Sequence, residues 1–145
     1  IPALPQDIYA VTDDRTLHCV LDVGGDERGA LALGRIAPAI RDENDFEMIY
    51  VVNQYRPLTR DVPSALEVMR EIEGACGLSF TAVVNNSNLG AQTTKEDVLA
   101  SLPYAREVAA RAGIPLLYTT VCQSLADVFT DGAEPIYPLT LQKRL

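Results

Sequence analysis

The order of the apolar segments constrains this chain most, because short runs typical of strands alternate with longer runs at helical spacing. Four segments have the continuous, partly β-branched character of buried strands: residues 16–23, 46–53, 78–84 and 114–118. Helical spacing fills the intervals between them, over about 27–41, from Asp61 to Gly77 and from Thr94 to Gly113. In the second of these helices, we expect the inward face to consist of Leu66, Met69, Ile72 and Cys76. In the third, residues 94–97 resemble a capping box, Val98, Leu99 and Leu102 share one face, and Pro103 is expected to kink or restart the helix. The tail, with Pro135 and Pro138, is expected to be irregular or an edge segment. Strands separated by helices pair in parallel through right-handed crossovers. We therefore predict an α/β fold with an open, mostly parallel sheet and helices on both faces.

Size and composition fit one globular domain. The chain has 145 residues, of which 48% are apolar and 22% charged, and a chain of this length buries a core without metals or disulfides. We predict a single α/β domain over residues 1–145. The cysteines show no Cys-x-x-Cys spacing, and one histidine cannot complete a zinc site with them. We expect His18 to be packed inside the first strand and Cys19, Cys76 and Cys122 to be reduced thiols, buried or half-buried.

Charge and hydropathy exclude two classes of partner. The formal net charge of −8 repels phosphate backbones, so direct binding to nucleic acid is not expected. No apolar run approaches the roughly 20 residues of a membrane span, and no charged and then apolar leader opens the chain. We predict a cytoplasmic protein.

Polar or glycine-bearing segments follow three of the four predicted strands. They cover residues 22–26, 53–56 and 85–90, whereas the fourth strand end, at Thr119 and Thr120, is polar but less distinctive. Parallel strands bring their carboxyl ends to one edge of the sheet, which is where open α/β sheets bind ligands. The sequence therefore predicts one ligand site built from these three segments.

Of the three segments, residues 22–26, Asp-Val-Gly-Gly-Asp, give the clearest indication of a function. A carboxylate at Asp22 can hold a hydrated Mg²⁺, because hard cations prefer oxygen ligands. Gly24 and Gly25 let the backbone approach a phosphate, and Asp26 can orient an attacking water. The alternative is an ordinary strand-to-helix turn in which Asp26 caps the following helix.

The other two strand ends carry basic and amide side chains. Arg56 can hold a phosphate or carboxylate with two parallel hydrogen bonds, or it is a surface arginine paired with one of the many acids. Asn85 and Asn86 combine a donor and an acceptor, which suits recognition of a polar ligand edge, or they belong to a polar turn that satisfies local backbone groups. Asn53 ends its strand in the same way and is a further ligand-binding candidate.

Residues 18–26 resemble the Walker B strand and switch II of the MinD/ParA/CobQ-like P-loop ATPases, and the Asp-Val-x-Gly-Asp pattern is especially close to that of the nitrogenase iron protein. Residues 51–59 and 83–90 are similar to strand ends in uncharacterised bacterial members of the group. The resemblance covers most of the chain in element order, through short motifs. It implies that Asp22 contacts Mg²⁺ through water, that Asp26 lies near the γ-phosphate, and that Asn85 or Asn86 contacts adenine.

The chain departs from that family in its phosphate-binding loop. It contains neither G-x-x-x-x-G-K-[ST] nor any Gly-Lys pair. In the family this loop precedes the Walker B strand, so we expect it before Ile1 and expect this chain to be the C-terminal portion of a longer ATPase with a partial P-loop fold. The full-length protein would use Mg²⁺ and ATP, whereas this chain alone is expected to bind neither and to be inactive.

The missing strand has a structural consequence. In the family's sheet, the P-loop strand lies between the Walker B strand and the next strand in sequence. Without it, residues 16–22 are predicted either to pair directly with 46–53 or to leave open edges through which the chain self-associates.

Two functions follow from these observations. The first is the Walker B and adenine side of a MinD/ParA-like ATPase, a hydrolase that forms a homodimer around nucleotide and acts on a partner protein. The second is a non-catalytic α/β protein-interaction module, in which the strand-end residues serve only as turns and caps.

Overall fold

A computed structural model describes residues 6–129, 132 and 135–140. The chain divides into two compact units, which are described separately. Unit 1 comprises the residues up to Met48 together with Met69–Ser79, and unit 2 comprises Ile49–Val68 together with the residues from Phe80 onwards. The division into compact units does not test whether the chain is a single domain, so that statement stays a prediction.

Unit 2 contains a four-stranded sheet in which all neighbouring strands are parallel, in the order β1-β2-β3-β4. The strands are β1 (Ile49–Val52), β2 (Ala82–Asn85), β3 (Leu116–Cys122) and β4 (Ile136–Leu139). All four residues of β2 are buried, as expected for the inner strand of a parallel sheet. Helices flank this sheet, so the predicted α/β class is confirmed. The tail, predicted as irregular or as an edge segment, supplies the edge strand β4, where Pro138 is tolerated.

Two long helices follow the predicted pattern closely. Helix α4 (Val62–Cys76) ends at Gly77, whose φ of +74° favours glycine, and its predicted inward side chains Leu66, Met69, Ile72 and Cys76 are all buried. Helix α5 (Lys95–Ala112) ends at Gly113 with φ +72°. It begins with the predicted capping box, because Asp97 N donates to Thr94 Oγ1 at 3.2 Å and Thr94 N donates to Asp97 Oδ2 at 2.8 Å.

Two details of α5 differ from the prediction. Pro103 was expected to kink or restart the helix, but α5 continues through it as one element. Leu99 was expected on the buried face, but it is exposed, whereas Val98 and Leu102 are buried. The inner face packs on β2 and β3, and this packing stabilises the helix despite the hydrogen bond that proline removes.

Unit 1 is helical in its described residues. A 3₁₀ turn (Gln6–Tyr9) leads into the short helix α1 (Ala10–Asp13), and α2 (Glu27–Gly34) is followed by α3 (Ala37–Glu43). One helix over about 27–41 was predicted, and this was wrong. Pro38 lies in the first turn of α3, where its missing N–H and fixed φ favour the start of a new helix. The short elements that complete the chain are α6 (Gln123–Ala126) and the 3₁₀ turns Pro57–Thr59, Gly90–Gln92 and Asp127–Phe129.

The predicted first strand does not form. Residues 17–24 belong to no helix or strand, and His18 and Cys19 are exposed rather than packed. Since β1 has β2 as its neighbour and residues 16–22 are not a strand, the predicted direct pairing with 46–53 does not form either. An alternating apolar segment becomes a strand only when a neighbour satisfies its backbone groups, and the pattern alone cannot supply that neighbour.

The cysteines and the helices add two further findings. Cys76 is buried as expected, but Cys19 and Cys122 are exposed, and all three are free thiols. In the part of the chain that the structure describes, no helix is long and apolar enough to cross a bilayer.

Candidate functional site

The loops that follow β1 and β2 lie against each other at the carboxyl edge of the unit 2 sheet. Asn53 Oδ1 accepts hydrogen bonds from Asn88 N at 3.3 Å and from Tyr55 N at 2.9 Å, and its Nδ2 donates to Asn88 O at 3.4 Å. Gln54 N donates to Ser87 Oγ at 2.9 Å. Two of the three predicted strand-end segments, 53–56 and 85–90, are therefore brought together, and the Asn53 amide is occupied in joining them.

Asn85 is enclosed by the protein. Its Nδ2 donates to Ser101 Oγ on α5 at 2.9 Å and to Thr119 Oγ1 on β3 at 3.3 Å, and its Oδ1 accepts from Ser87 N at 3.1 Å. The residue is fully buried, so each of its amide groups is satisfied by a neighbouring element. Asn85 thus links β2, β3 and α5, and it presents no group to solvent.

Asn86 has a different environment, because it is only half-buried. Its backbone N donates to Val52 O at 2.8 Å, and its Oδ1 accepts from Thr120 Oγ1 at 2.5 Å. Thr120 therefore fixes the orientation of the amide. Nδ2 has no hydrogen-bond partner among the described residues, so this donor is available to a ligand.

Two tyrosines fasten the loop 53–60 to neighbouring parts of unit 2. Tyr55 Oη donates to Asp97 O, and Tyr104 Oη donates to Thr59 O, both at 2.6 Å. Burial raises the pKa of Tyr104 to about 12, and burial, with a smaller effect of Asp97, also raises the pKa of Tyr55. Both tyrosines are therefore neutral donors at neutral pH. Arg56 lies on this fastened loop with its side chain exposed.

Sequence reasoning missed two residues at this edge. Gln54 Oε1 is buried and has no hydrogen-bond partner among the described residues, and nothing in the sequence distinguishes it from its neighbours. Thr120 was noted only as a polar strand end. Its contact with Asn86 follows from the register, since Asn85 lies opposite Thr119 across β2 and β3.

The segment 22–26 belongs to unit 1 and does not follow a strand. Asp26 caps α2, because its Oδ1 accepts from Gly29 N at 2.9 Å. This is the local structure that the alternative interpretation of the motif predicted. A Cβ on Gly29 would lie 2.3 Å from Gly24 O, so the turn closes directly over the start of α2.

Asp22 borders a cleft of about 140 Å³ within unit 1. The residues that line it are mostly apolar: Ile8, Leu21, Asp22, Val23, Gly24, Gly29, Ala32, Leu33 and Ile36. Within the described ranges, no three side chains of His, Cys, Asp or Glu converge as metal ligands. Asp22 therefore offers one exposed carboxylate, and its magnesium role stays a prediction.

Comparison with known proteins found no matching family model, no matching curated protein and no matching solved structure.

Proposed function

We propose that this chain forms the base-binding side of an ATP site in a MinD/ParA-like ATPase, with Asn86 as the residue that recognises adenine. One observation carries the proposal. The Asn86 amide is half-buried at the carboxyl edge of a parallel sheet, with Oδ1 held by Thr120 and Nδ2 available. An amide in this position can donate to ring N1 of adenine while a second lone pair of Oδ1 accepts from the 6-amino group.

The structure favours Asn86 over Asn85 for this role, although the sequence left both open. Asn85 uses its amide for Ser101, Thr119 and Ser87. Asn53 is proposed as a positioning residue, because its amide joins the two loops. Arg56 is exposed on the same loop and is proposed to hold a phosphate or carboxylate of the ligand.

The described residues do not form a complete site for the phosphates or the metal. Asp22 supplies a single carboxylate, and the sequence contains no Gly-Lys loop. The proposal therefore needs a phosphate-binding segment in addition to these residues, and Mg²⁺ and ATP are cofactors of that complete protein. The metal and phosphate roles of Asp22, Gly24, Gly25 and Asp26 stay a separate proposal, made for unit 1 by itself. Asp26 would act through the carboxylate oxygen that does not cap α2, and this chain alone is proposed to be inactive.

The cellular setting belongs to the same proposal. MinD/ParA-like ATPases form homodimers around nucleotide and act on partner proteins, and we propose the same here. Three free thiols fit a reducing compartment such as the cytoplasm.

A second candidate is a non-catalytic interaction module. It is favoured by the local roles of two predicted site residues, since Asp26 caps a helix and Asn85 links three elements without reaching solvent. In that case the strand-end side chains stabilise turns, and no nucleotide binds.

Isothermal titration separates the two candidates. ATP and GTP, each with Mg²⁺, are titrated into this chain and into a version that includes its natural upstream sequence. We expect binding by the extended chain only, with preference for ATP, and Asn86→Ala should weaken it by about tenfold, the worth of one to two hydrogen bonds. Asn44→Gly, a change at the left-handed end of α3, is the control and should leave affinity unchanged. Absence of binding by a folded extended chain would favour the interaction module.

A further inference from the structure

An exposed aromatic ring of unit 2 lies next to the residue that holds the Asn86 amide. Thr120 on β3 donates to Asn86 Oδ1, and the partner of Thr120 in the β3–β4 register is Tyr137. Neighbouring strands of a sheet lie about 4.8 Å apart. Tyr137 therefore starts one strand away from the side chain that orients Asn86, and 52% of it is exposed.

Tyr137 and Thr120 share one face of the sheet. The ring of Tyr118 on β3 contacts that of Tyr137, with 5.2 Å between the ring centroids and 31° between the ring planes. Residues two apart in a strand point to the same face, so this contact places Tyr137 on the face of Tyr118 and Thr120. Thr119 points to the opposite face, where its hydrogen-bond partner Asn85 also contacts α5. Tyr137 thus lies on the face that α5 does not cover.

The contact with Tyr118 holds the Tyr137 ring in place. Tilted rings at this separation attract each other, and Tyr118 is itself half-buried in the sheet. The pair therefore limits the orientations of Tyr137 while about half of that side chain stays accessible. A ring that is already held loses little side-chain entropy when a flat ligand binds to it.

An amide and an aromatic ring contact different parts of a nucleobase. The Asn86 amide can bond only to the polar atoms at the edge of adenine, which leaves both faces of the base uncovered. An aromatic side chain covers a face by stacking, and it accepts any base because every base has a π-face. The edge contact therefore provides selectivity, whereas the face contact provides affinity.

We propose that Tyr137 stacks on the base whose edge Asn86 recognises. This inference rests on the proposed function, because it requires a nucleotide at this edge of the sheet. It adds β4 to the base-binding side, which the loops after β1 and β2 otherwise supply. If the ring served only the edge strand, where tyrosine is a favoured residue, its removal would change stability without changing base binding.

Isothermal titration of the chain extended by its natural upstream sequence tests the stacking. Tyr137→Thr removes the ring but keeps a residue that favours strands, whereas Tyr137→Phe keeps the ring. We expect Tyr137→Thr to weaken the binding of both Mg-ATP and Mg-GTP by about tenfold, because stacking does not depend on the identity of the base. Tyr137→Phe should bind as the parent chain does. Asn86→Ala should instead reduce the preference for ATP over GTP.

Inorganic triphosphate with Mg²⁺ is the control ligand, because it offers phosphates without a base. The parent chain and Tyr137→Thr should bind it with the same affinity. Tyr9→Thr is the control variant, since Tyr9 is another exposed tyrosine and lies in unit 1. It should leave the affinity for ATP unchanged, and circular dichroism checks that every variant keeps its helix content.

Tryptophan fluorescence provides a second measurement. The 145 residues contain no tryptophan, so Tyr137→Trp adds a reporter at the proposed contact. ATP should quench the emission that this variant adds to that of the parent chain, and inorganic triphosphate should leave it unchanged. ATP that binds without altering this emission would contradict the stacking.

Three outcomes of the titrations would also overturn the proposal, and they differ in what they leave standing. Nucleotide binding that depends on Asn86 but not on Tyr137 would remove the stacking role and leave the proposed function intact. A tenfold loss of affinity for inorganic triphosphate in Tyr137→Thr would show that the ring stabilises the fold rather than the bound base. No nucleotide binding by a folded extended chain would overturn the proposed function and this inference together.

Discussion

The side chain of Asn85 donates to that of Thr119 across the β2–β3 pair, with 3.3 Å between Nδ2 and Oγ1, and the two residues are 0% and 1% exposed. The same amide also donates to Ser101 on α5. A buried polar network of this kind stabilises a fold only while every member has a partner. The network around Asn85 therefore stabilises the packing of β2 against β3 and α5, whether or not a ligand binds nearby.

Replacing Asn85 with alanine should destabilise the chain strongly. The change removes three hydrogen bonds and takes away the amide that donates to the buried hydroxyl oxygens of Ser101 and Thr119. It also opens a small cavity, and together these effects cost about 2–4 kcal/mol. Urea unfolding followed by circular dichroism measures the free energy of unfolding. Asn86→Ala, at a half-buried neighbour, is the control and should cost less than about 1.5 kcal/mol. Equal effects of the two variants would contradict the structural role assigned to Asn85.

Two glycine-to-alanine substitutions should change the stability of the folded chain in opposite directions. Gly29→Ala places a Cβ 2.3 Å from Gly24 O, so the turn before α2 must move, at a cost of about 1–3 kcal/mol. Gly74→Ala lies in α4, where a Cβ meets nothing within 4 Å, and alanine should stabilise the helix by about 0.5–1 kcal/mol. Thermal unfolding measures both. A neutral Gly29→Ala would show that the turn does not close over α2 as described.

Acid should weaken the start of α5. The pKa of Asp97 lies below its usual value of 3.8, because the backbone and side chain of Thr94 donate hydrogen bonds to its carboxylate. A carboxyl whose pKa is lowered on folding contributes stability above 3.8, and this contribution is lost as the pH falls through the lowered value. Asp97→Asn should therefore flatten the loss of stability below about pH 4. Glu96→Gln, in the same turn, is the matched control, and an equal flattening by it would refute the assignment.

Alkali should release the loop that carries Arg56. Burial raises the pKa of Tyr104 from 10.0 to about 12, so the unfolded chain loses this proton first and stability falls between about pH 10 and pH 12. Tyr104→Phe should make that fall shallower, and at neutral pH it should cost about 1 kcal/mol for the lost hydrogen bond to Thr59. Tyr137→Phe changes an exposed ring and serves as the control. An unchanged alkaline profile in Tyr104→Phe would contradict the burial of this side chain.

The parts of the fold that depend on local chemistry were predictable from sequence. Residues within one or two helical turns specify the capping box at Thr94 and Asp97, the end of α4 at Gly77 and the buried face of α4. The strand predicted over 16–23 failed because pairing depends on a neighbour that periodicity does not identify. Apolar spacing alone does not reveal the break before α3, because the new helix starts with Pro38 in its first turn without interrupting that spacing.

The candidate site was predictable only as an edge of the sheet. Asn53 follows β1, Asn85 ends β2 and Asn86 comes directly after it, but the sequence could not decide which of these amides faces solvent. That choice depends on the register between β2 and β3, which brings Thr119 to Asn85 and Thr120 to Asn86. The segment 22–26 was assigned to the same edge only because a strand was expected before it.

The strands of unit 2 lie in the sheet in the order in which they occur in the chain. Each crossover therefore adds a strand beside the one made just before it, and no later strand has to insert between two earlier ones. A nascent polypeptide can consequently extend this sheet from β1 towards β4 during synthesis, with each new strand joining an edge that already exists. Since successive partners are separated by a single helix-bearing connection, no strand pair in this sheet has to close a loop longer than one crossover.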